Sequence, residues 1–460
     1  EESIWLMMEE VNKTFKKEKW KYAKSIMDKV TLFWFRRDLR LSDNIGLFTA
    51  YENEKNVLPL FIFDENILEK LENKNDARVQ FIHNQVKKLH SALKDYDSSI
   101  LVKIGKPLAI FEALTKAYAI QNVYTNRDYE PYARDRDEKI EQFLAEKDIP
   151  FYDFKDQVIF EKDEITNNSG SYYKVFTPYS KSWLQKLKQT TLTPVDLDGR
   201  KKSFYKTQPF PLPSLKDLGF KTSENSIPPL EIDEKLIRAY DKNRDFPARQ
   251  GTSRLGIHLR FGTISIRRLV SDAHELNDTY LNELIWREFY MMILYHNPAL
   301  VDTSFKEKYD RIRWDNNEEL FQKWCEGKTG YPLVDAGMRE LNTTGYMHNR
   351  VRMLTASFLT KHLLIDWRWG EAYFASKLLD YELASNNGGW QWAAGTGTDA
   401  QPYFRIFNPE SQMKKFDKDK KYIKKWIPEY GSSAYPKPIV EHKQARERAL
   451  ETYKKALDGE

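Results

Sequence analysis

Residues 30–44, "VTLFWFRRDLRLSDN", place a short run, apolar except for Thr31, directly before a polar loop. A short apolar run bounded in this way is typical of a strand that is buried on both faces. Four further runs follow, separated by helical patterns: "NVLPLFIFD", "SSILVKIG", "NVYTNRDYE" and "IPFYDF". The alternation predicts an α/β domain with a doubly wound parallel sheet over residues 30–160.

The loop after the first strand does not have the spacing of the common nucleotide-binding loops. It has no G-x-G-x-x-G, and G-x-x-x-x-G-K-[ST] occurs nowhere in the chain. A bound dinucleotide would therefore not sit on a Rossmann fingerprint or a P-loop.

The pattern changes after the α/β domain. Residues 161–230 are rich in Pro, Ser, Gly and Lys and predict a linker with little regular structure. Helical periodicity then dominates, as in "LNELIWREFYMMILYH", and predicts an all-α domain over residues 231–430. A charged C-terminal helix is predicted within residues 431–460. Residues 1–29 place acids before lysines and predict an N-terminal helical extension rather than a signal peptide.

Composition excludes several classes of protein. The 460 residues carry a net charge of +5, which permits a nucleic-acid partner without requiring one. The single cysteine, Cys325, excludes internal disulfides and multi-cysteine metal sites, and it favours a reducing compartment such as the cytoplasm. No apolar run reaches the roughly 18 residues of a membrane span. We expect no metal site and no membrane partner.

One predicted helix groups an acid, an aromatic ring and a guanidinium. Glu283, Trp286 and Arg287 are spaced i, i+3, i+4 and share one face. This surface could hold a planar, hydrogen-bonding ligand. The alternative is a surface Glu–Arg pair beside a half-buried tryptophan.

A second helix places Asn349 and Met353 together at i, i+4, with Arg350 and Arg352 on flanking faces. One arginine could face phosphates while the other faces a bound anion inside. The alternative is a helix with its methionine in the core and its arginines in solvent.

Three other segments carry polar groups suited to a nucleotide. "GTSRLG" at residues 251–256 precedes a helical stretch and could seat a phosphate or merely cap the helix. Asp380 and Glu382 could accept from ribose or adenine, or be ordinary helix-surface carboxylates. Residues 414–425 contain seven lysines. They could form a solvated face or, following Arg405, a track for a phosphate backbone.

Side-chain nucleophiles and acid–base pairs give no signature here. H-E-x-x-H is absent, and no Ser–His–Asp or paired-acid motif is evident. We therefore expect a cofactor to carry the chemistry.

Taken together, the motifs closely resemble the DNA photolyase/cryptochrome family over residues 31–430. They are "LFWFRRDLRLSDN", "YYKVFTPYSKSW", "GTSRLG", "LNELIWREFY", "GKTGYPLVDAGMREL", "MHNRVRMLTASFL", "IDWRWGE" and "NNGGWQWAAGTGTDAQPYFRIFNP". The resemblance implies an α/β N-terminal domain, a long linker and an all-α domain that binds one non-covalent FAD in a folded-up form.

The resemblance also implies roles for individual residues of the flavin site. Asn386 would face the flavin N5, and the glycines before Trp390 would let the backbone approach the ring closely. Trp390, Trp367 and Trp314 would form an electron-hopping chain to the surface. The implied FAD-binding residues are Tyr240, Thr252, Ser253, Arg254, Leu255, Gly256, Tyr280, Arg287, Asn349, Arg352, Asp380, Tyr381, Glu382 and Asn386.

On the substrate side, Asn349 and Met353 stand where (6-4) photolyases carry histidines, so the sequence resembles class I cyclobutane pyrimidine dimer (CPD) photolyases. Glu283 would hydrogen-bond the pyrimidine carbonyls, and it joins Asn349, Met353 and Asn386 as the implied catalytic set. The implied lesion- and DNA-binding residues are Arg244, Glu283, Trp286, Arg287, Asn349, Arg350, Met353, Trp392 and Arg405.

The implied activity is a light-driven lyase reaction on UV-damaged DNA, in which one electron from reduced FAD opens the dimer and then returns. We expect a monomer in the cytoplasm, associated with the nucleoid when it is bound to DNA. The alternatives are a cryptochrome photosensor, (6-4) photoproduct repair and a dark DNA-binding module.

Three positions depart from the family pattern. Tyr346 and Glu382 replace a common tryptophan and aspartate, from which we expect pocket tuning. Pro131 and Tyr132 replace the Asn–Glu pair of folate-binding relatives. A second, antenna chromophore therefore stays open as a deazaflavin, another flavin or none.

Overall fold

The computed structural model describes residues 28–197 and 203–459, and the chain divides into two compact units. One unit contains the described residues up to Asp128 together with Tyr132–Gln157 and Val195–Thr222. The other contains Tyr129–Pro131, Val158–Pro194 and the residues from Ser223 onward. The predicted N-terminal helix falls almost entirely on residues 1–27, outside the described residues.

A five-stranded parallel sheet forms the first unit, with strand order β3-β2-β1-β4-β5. The strands are β1 (Lys29–Phe35), β2 (Val57–Asp64), β3 (Leu101–Gly105), β4 (Ala119–Asn126) and β5 (Phe151–Phe154). The helices are α1 (Ile45–Asn53), α2 (Glu65–Leu68), α3 (Ala77–Leu93), α4 (Pro107–Ala117) and α5 (Pro131–Ala145), and a 3-10 turn spans Lys94–Tyr96. The predicted doubly wound α/β fold is confirmed.

The loop after β1 is fixed at the carboxyl edge of the sheet by buried polar contacts. The Asn126 side chain, at the end of β4, donates to Asp38 Oδ2 at 2.6 Å and to Asn44 Oδ1 at 2.7 Å. Arg40 pairs with Asp156 at 2.7 Å. These contacts give the buried Asp38, Asn44 and Arg40 side chains polar partners, as burial of such groups requires.

The second unit is helical, as predicted. Its helices are α6 (Phe176–Leu187), α7 (Glu234–Arg238), α8 (Tyr240–Asn243), α9 (Gly256–Arg260), α10 (Ile266–Leu276), α11 (Asp278–His296), α12 (Glu318–Cys325), α13 (Pro332–Thr344), α14 (Asn349–Ser357), α15 (Trp367–Lys377), α16 (Leu383–Ala394), α17 (Pro409–Phe416), α18 (Lys421–Trp426) and α19 (His442–Asp458). Two 3-10 turns, Pro298–Val301 and Glu307–Arg311, and a π-helical turn, Phe358–His362, complete it.

The expectation of little regular structure in the linker is wrong for residues 176–187. They form the three-turn helix α6, which buries Phe176, Tyr179 and Trp183. The Pro, Ser and Lys content masked this apolar face, whose members are spaced i, i+3, i+7.

The C-terminal helix α19, predicted from the sequence, packs one face into the helical unit. Ala445, Ala449 and Tyr453 are buried on one face, and the Tyr453 hydroxyl donates to the Ala394 carbonyl at 2.9 Å. Among the residues that the structure describes, no helix has the length and apolarity needed to cross a bilayer.

Candidate active site

A cavity of about 380 Å³ opens in the helical unit, between α11, α14 and α16. Thirteen residues singled out from the sequence line it: Arg244, Glu283, Trp286, Arg287, Asn349, Arg352, Met353, Asp380, Tyr381, Glu382, Asn386, Trp390 and Trp392. Gly389, one of the glycines expected to let the backbone approach the flavin, also lines it. Five further lining residues were not predicted as site residues: Tyr290, Ala356, Phe374, Leu378 and Ser385. The structure thus brings together Arg244 and three stretches that are far apart in sequence, residues 283–290, 349–356 and 374–392.

The three residues on one face of α11 face this cavity, but they do not pair with one another. Glu283 accepts from Arg244 at 2.5 Å, and Arg287 donates to Glu382 at 3.1 Å. The alternative of a surface Glu–Arg pair within α11 is therefore wrong. Burial raises the pKa of the Glu283 carboxyl more than the neighbouring Arg244 lowers it.

The carboxylates of the segment between α15 and α16 are not helix-surface groups. Glu382 is buried, and Asp380 accepts from Arg352 at 2.9 Å. Gly256 makes room for this arrangement, because a Cβ there would lie 2.7 Å from Asp380 Cβ. Both acids therefore face the cavity, each paired with an arginine. A bound nucleotide could replace these pairs, because its hydroxyls can donate to the acids and its phosphates can accept from the arginines.

Asn349 and Met353 point together as predicted, with Asn349 Nδ2 at 3.8 Å from Met353 Sδ. Both border the cavity. A thioether and an amide side by side form a surface without charge, suited to a neutral planar ligand such as a base.

The amide of Asn386 has a fixed orientation. Its Nδ2 donates to the Glu371 side chain at 2.8 Å and to the Glu371 carbonyl at 3.1 Å. Both amide protons are thereby used, so the oxygen remains as the acceptor at the cavity wall. Glu371 was quoted within "IDWRWGE" but was not recognised as a site residue, because its sequence position says nothing about Asn386.

The two glycines before Trp390 serve different purposes. A Cβ on Gly389 would meet nothing within 4 Å, and this residue borders the cavity. A Cβ on Gly388 would lie 2.3 Å from the Tyr290 ring. Gly388 thus allows α16 to pack on Tyr290, whereas Gly389 leaves the cavity wall bare.

The three predicted redox tryptophans occupy one hydrophobic core. Trp390 and Trp367 are buried in it, and the partly buried Trp314 packs against it. Trp390 borders the cavity, and its indole N–H has no hydrogen-bond partner among the described residues. Ring contacts connect Trp390 to Phe374 at 5.0 Å and to Trp324 at 6.0 Å.

Other predicted cofactor residues do not line the cavity. Ser253 bonds Tyr280 at 2.8 Å, and the Tyr280 ring meets Tyr240 edge-on at 5.0 Å. Thr252 bonds the Tyr346 hydroxyl at 3.0 Å. Arg254 has φ +54° and covers the Tyr346 ring, while the Leu255 side chain is buried in the core. The hydroxyls of "GTSRLG" are thus paired with tyrosines.

The predicted DNA-contacting arginines that do not line the cavity lie elsewhere on the helical unit. Arg350 pairs with Asp245 at 2.5 Å and lies over Phe416. Arg405 is exposed, in a loop whose Phe404 is 60% exposed. The lysines of residues 414–425 lie on and between α17 and α18.

No cluster of three or more potential metal ligands occurs in the described parts of the chain.

In the α/β unit, the Tyr132 hydroxyl donates to Asp64 at 2.5 Å and accepts from Asn66 at 3.1 Å. The residue that departs from the folate-binding pattern is thus tied to the end of β2.

Two protein-family models match the chain: "DNA photolyase" over residues 31–197 and "FAD binding domain of DNA photolyase" over residues 280–433. The chain belongs to the DNA photolyase family, so the family and its cofactor, FAD, are confirmed.

Curated relatives named deoxyribodipyrimidine photo-lyase include one from Synechococcus, 40% identical over 93% of this chain and 98% of the relative. Another, from Escherichia coli, is 38% identical over 93% and 99%.

Solved structures agree with this membership. A bacterial class III photolyase from Agrobacterium tumefaciens superimposes with a TM-score of 0.83 at 32% identity, covering 94% of this chain and 98% of that one. An archaeal photolyase from Sulfolobus tokodaii, described as containing two FAD molecules, gives 0.79 at 34% identity, covering 93% and 99%. A Synechocystis cryptochrome, at 23% identity and a TM-score of 0.79, covering 93% and 99%, shares the fold.

Proposed function

We propose that this protein is a deoxyribodipyrimidine photo-lyase that uses light to split cyclobutane pyrimidine dimers in UV-damaged DNA. The observation that carries the proposal is that two groups of residues line the same cavity. One group is Glu283, Trp286, Asn349 and Met353, and the other is Asn386 and Trp390. A lesion at the first group and a flavin at the second would be near neighbours.

The cavity suits FAD. Gly389 leaves bare backbone, and Asn386 offers an oriented acceptor. Arg287 and Arg352, which pair with Glu382 and Asp380, could exchange these partners for the anionic part of the cofactor. Asp380 and Glu382 would accept from its hydroxyls or amine. When bound, reduced FAD supplies the photoexcited electron that opens the dimer. The acceptor on Asn386 favours a protonated nitrogen opposite it.

The lesion-facing residues are suited to a flipped-out dimer of two adjacent pyrimidines. A dimer stacks and pairs poorly, so extruding it costs only about a few kcal/mol, less than for an intact base. Trp286 and Trp392 offer aromatic faces, and Met353 offers an apolar contact. Burial raises the pKa of Glu283 and so lowers the cost of protonating its carboxyl. The protonated form can donate to a pyrimidine carbonyl and stabilise developing negative charge there.

Binding to DNA would depend on the basic residues around the cavity. Arg244, Arg350 and Arg405 would contact the strand near the lesion, and the lysines of residues 414–425 would follow the phosphates. The protein would act as a monomer, in the cytoplasm and on the nucleoid when it is bound to DNA. A single oligomer-sized species in sedimentation would contradict the monomer.

The tryptophans would serve a separate step. Indole is an oxidisable ring, and a line from Trp390 through Trp367 to Trp314 would refill the cofactor with electrons from the surface. We expect Trp390→Phe to stop light-driven reduction of bound oxidised FAD. The chemically reduced variant should still repair, which transient absorption and a repair assay together would measure.

The experiment that tests this function compares two lesions. Purified protein with reduced FAD is incubated with oligonucleotides containing either a CPD or a (6-4) photoproduct, in blue light and in darkness. Loss of the CPD alone, in light alone, is expected. Loss of the (6-4) photoproduct would favour the alternative lesion, and a flavin-coloured protein that repairs neither would favour a cryptochrome photosensor, whose fold it shares.

A further inference from the structure

Trp286 borders the cavity, and one face of its ring is covered by a residue from outside the cavity-lining motifs. The Phe176 ring lies parallel to Trp286, with centroids 3.6 Å apart and an interplanar angle of 5°. Phe289 meets both rings edge-on, at 5.7 Å from Phe176 and 5.6 Å from Trp286. The packing of Phe176 and Phe289 thus fixes the plane of the Trp286 indole.

Phe176 is itself tied to the helical unit at its backbone. It is the first residue of α6, and its N–H donates to Asp399 Oδ2 at 3.0 Å. Next to this contact, the Thr398 hydroxyl donates to the Lys174 carbonyl at 2.5 Å. Two hydrogen bonds therefore fix the start of α6 against the loop that follows α16.

A buried carboxylate fixes the rest of α6. Glu288, two residues after Trp286 on α11, accepts from the Trp183 indole at 2.5 Å and from the Tyr179 hydroxyl at 3.3 Å. It also accepts from the backbone N–H groups of Ile159 and Phe160, at 2.7 and 3.0 Å. A buried acid with four donors is costly to misplace, so α6 has one position relative to α11.

We propose that Phe176 is a positioning residue for lesion recognition: it acts through Trp286, holding the indole plane in the orientation in which a flipped-out dimer stacks. The proposal rests on the lesion-binding role of Trp286 proposed above. It gives a function to the "YYKVFTPYSKSW" motif, none of whose residues lines the cavity. A preset aromatic platform avoids the entropy of ordering the ring when DNA binds.

The test is a double-mutant cycle on dark binding. The measured quantity is the dissociation constant for a duplex with one thymine dimer, compared with the undamaged duplex. Phe176→Leu should weaken dimer binding roughly three- to tenfold, as expected for loss of one aromatic stack, and leave undamaged binding unchanged. Phe176→Tyr keeps the plane and should restore affinity. Trp286→Leu should weaken dimer binding, and adding Phe176→Leu to it should cause no further loss.

Controls separate positioning from stability. Phe154→Leu removes a phenyl ring that stacks on Tyr124 in the α/β unit, with ring centroids 5.7 Å apart, and should not change dimer affinity. Retained FAD absorbance reports folding of every variant. Additive losses in the double variant would overturn the proposal while leaving the role of Trp286 intact. Unchanged dimer affinity in Trp286→Leu would overturn both the proposal and the lesion-binding role on which it rests.

Discussion

At the scale of single residues, Glu283 carries the largest share of the proposed chemistry. Its pKa is raised by burial, and a neutral carboxyl can donate where charge develops on the pyrimidine. Glu283→Gln keeps a donor and should largely preserve the quantum yield of repair. Glu283→Ala removes the donor and should lower it severalfold, measured as dimers split per absorbed photon with saturated enzyme. Equal yields in the two variants would contradict a donor role.

Lys361 is a second unusual residue, fully buried in the π-helical turn, and its Nζ donates to the Arg405 carbonyl at 3.2 Å. Burial lowers its pKa to about 7. The pKa of a lysine in the unfolded chain is about 10.4. Between pH 7 and this value the unfolded chain binds more protons than the folded one, so the free energy of unfolding rises with pH. Below about 7 the folded protein must hold a buried ammonium.

Lys361→Met removes that cost while keeping the packing. The change in melting temperature caused by this variant should therefore be more favourable at pH 6 than at pH 9, as followed by calorimetry. The exposed Lys424 on α18 gives the matched control, and its Met variant should behave alike at both pH values. A pH-independent effect of Lys361→Met would show that folding does not lower the pKa of this lysine.

At the scale of elements, α16 shows how one short motif does two jobs. Gly388→Ala forces a methyl group into Tyr290 and should lower the melting temperature of the FAD-free protein. Gly389→Ala points into open space and should leave that temperature unchanged or raise it, since Ala is the better helix former by about 1 kcal/mol. It should nevertheless weaken FAD retention, measured by equilibrium dialysis. Tight FAD binding by Gly389→Ala would place the flavin elsewhere.

Helix periodicity predicted which residues share a face, but not which residues pair across helices. The spacing of Glu283, Trp286 and Arg287 predicts one face of α11, and the structure places all three at the cavity. Their partners, Arg244 and Glu382, lie on other elements, and the partner of Asn386 is Glu371 on α15. Such pairs depend on tertiary packing, so no local pattern encodes them.

For α6, by contrast, the sequence pattern did not predict the helix itself. Its composition favoured a loop, yet its apolar positions pack on the helical unit and its Trp183 bonds Glu288. Pro and Ser content does not reveal the apolar face of this helix. Its contacts with the helical unit override the low helix propensity of the segment.

At the scale of the whole molecule, the alternation of strands and helices was enough to predict a parallel sheet followed by a helical unit. The boundaries between the units were beyond that analysis. Val195–Thr222 returns to the α/β unit, where Tyr205 N–H donates to the Val57 carbonyl at 2.9 Å. A chain that leaves a unit and comes back gives no signal in composition.

Salt dependence is a property of the whole basic surface. Each phosphate contact releases counterions, so affinity for damaged DNA should fall steeply from low to moderate salt, with a slope of about −0.9 per contact. Replacing both Lys414 and Lys415 with Gln should reduce the slope by about two. The same change at Lys454 and Lys455, on α19, should not alter it. A slope unaffected by the first pair would remove those lysines from the DNA track.

The central claim is that a photoexcited electron crosses from FAD in this cavity to a dimer held against Glu283, Trp286 and Met353. The most direct measurement is anaerobic and single-turnover: enzyme saturated with reduced FAD is mixed with a duplex containing one thymine dimer and given blue flashes, and the intact dimer is quantified by chromatography. The account predicts loss of the dimer in proportion to flashes, with none in darkness. An undiminished dimer after illumination of the fully loaded complex would contradict it.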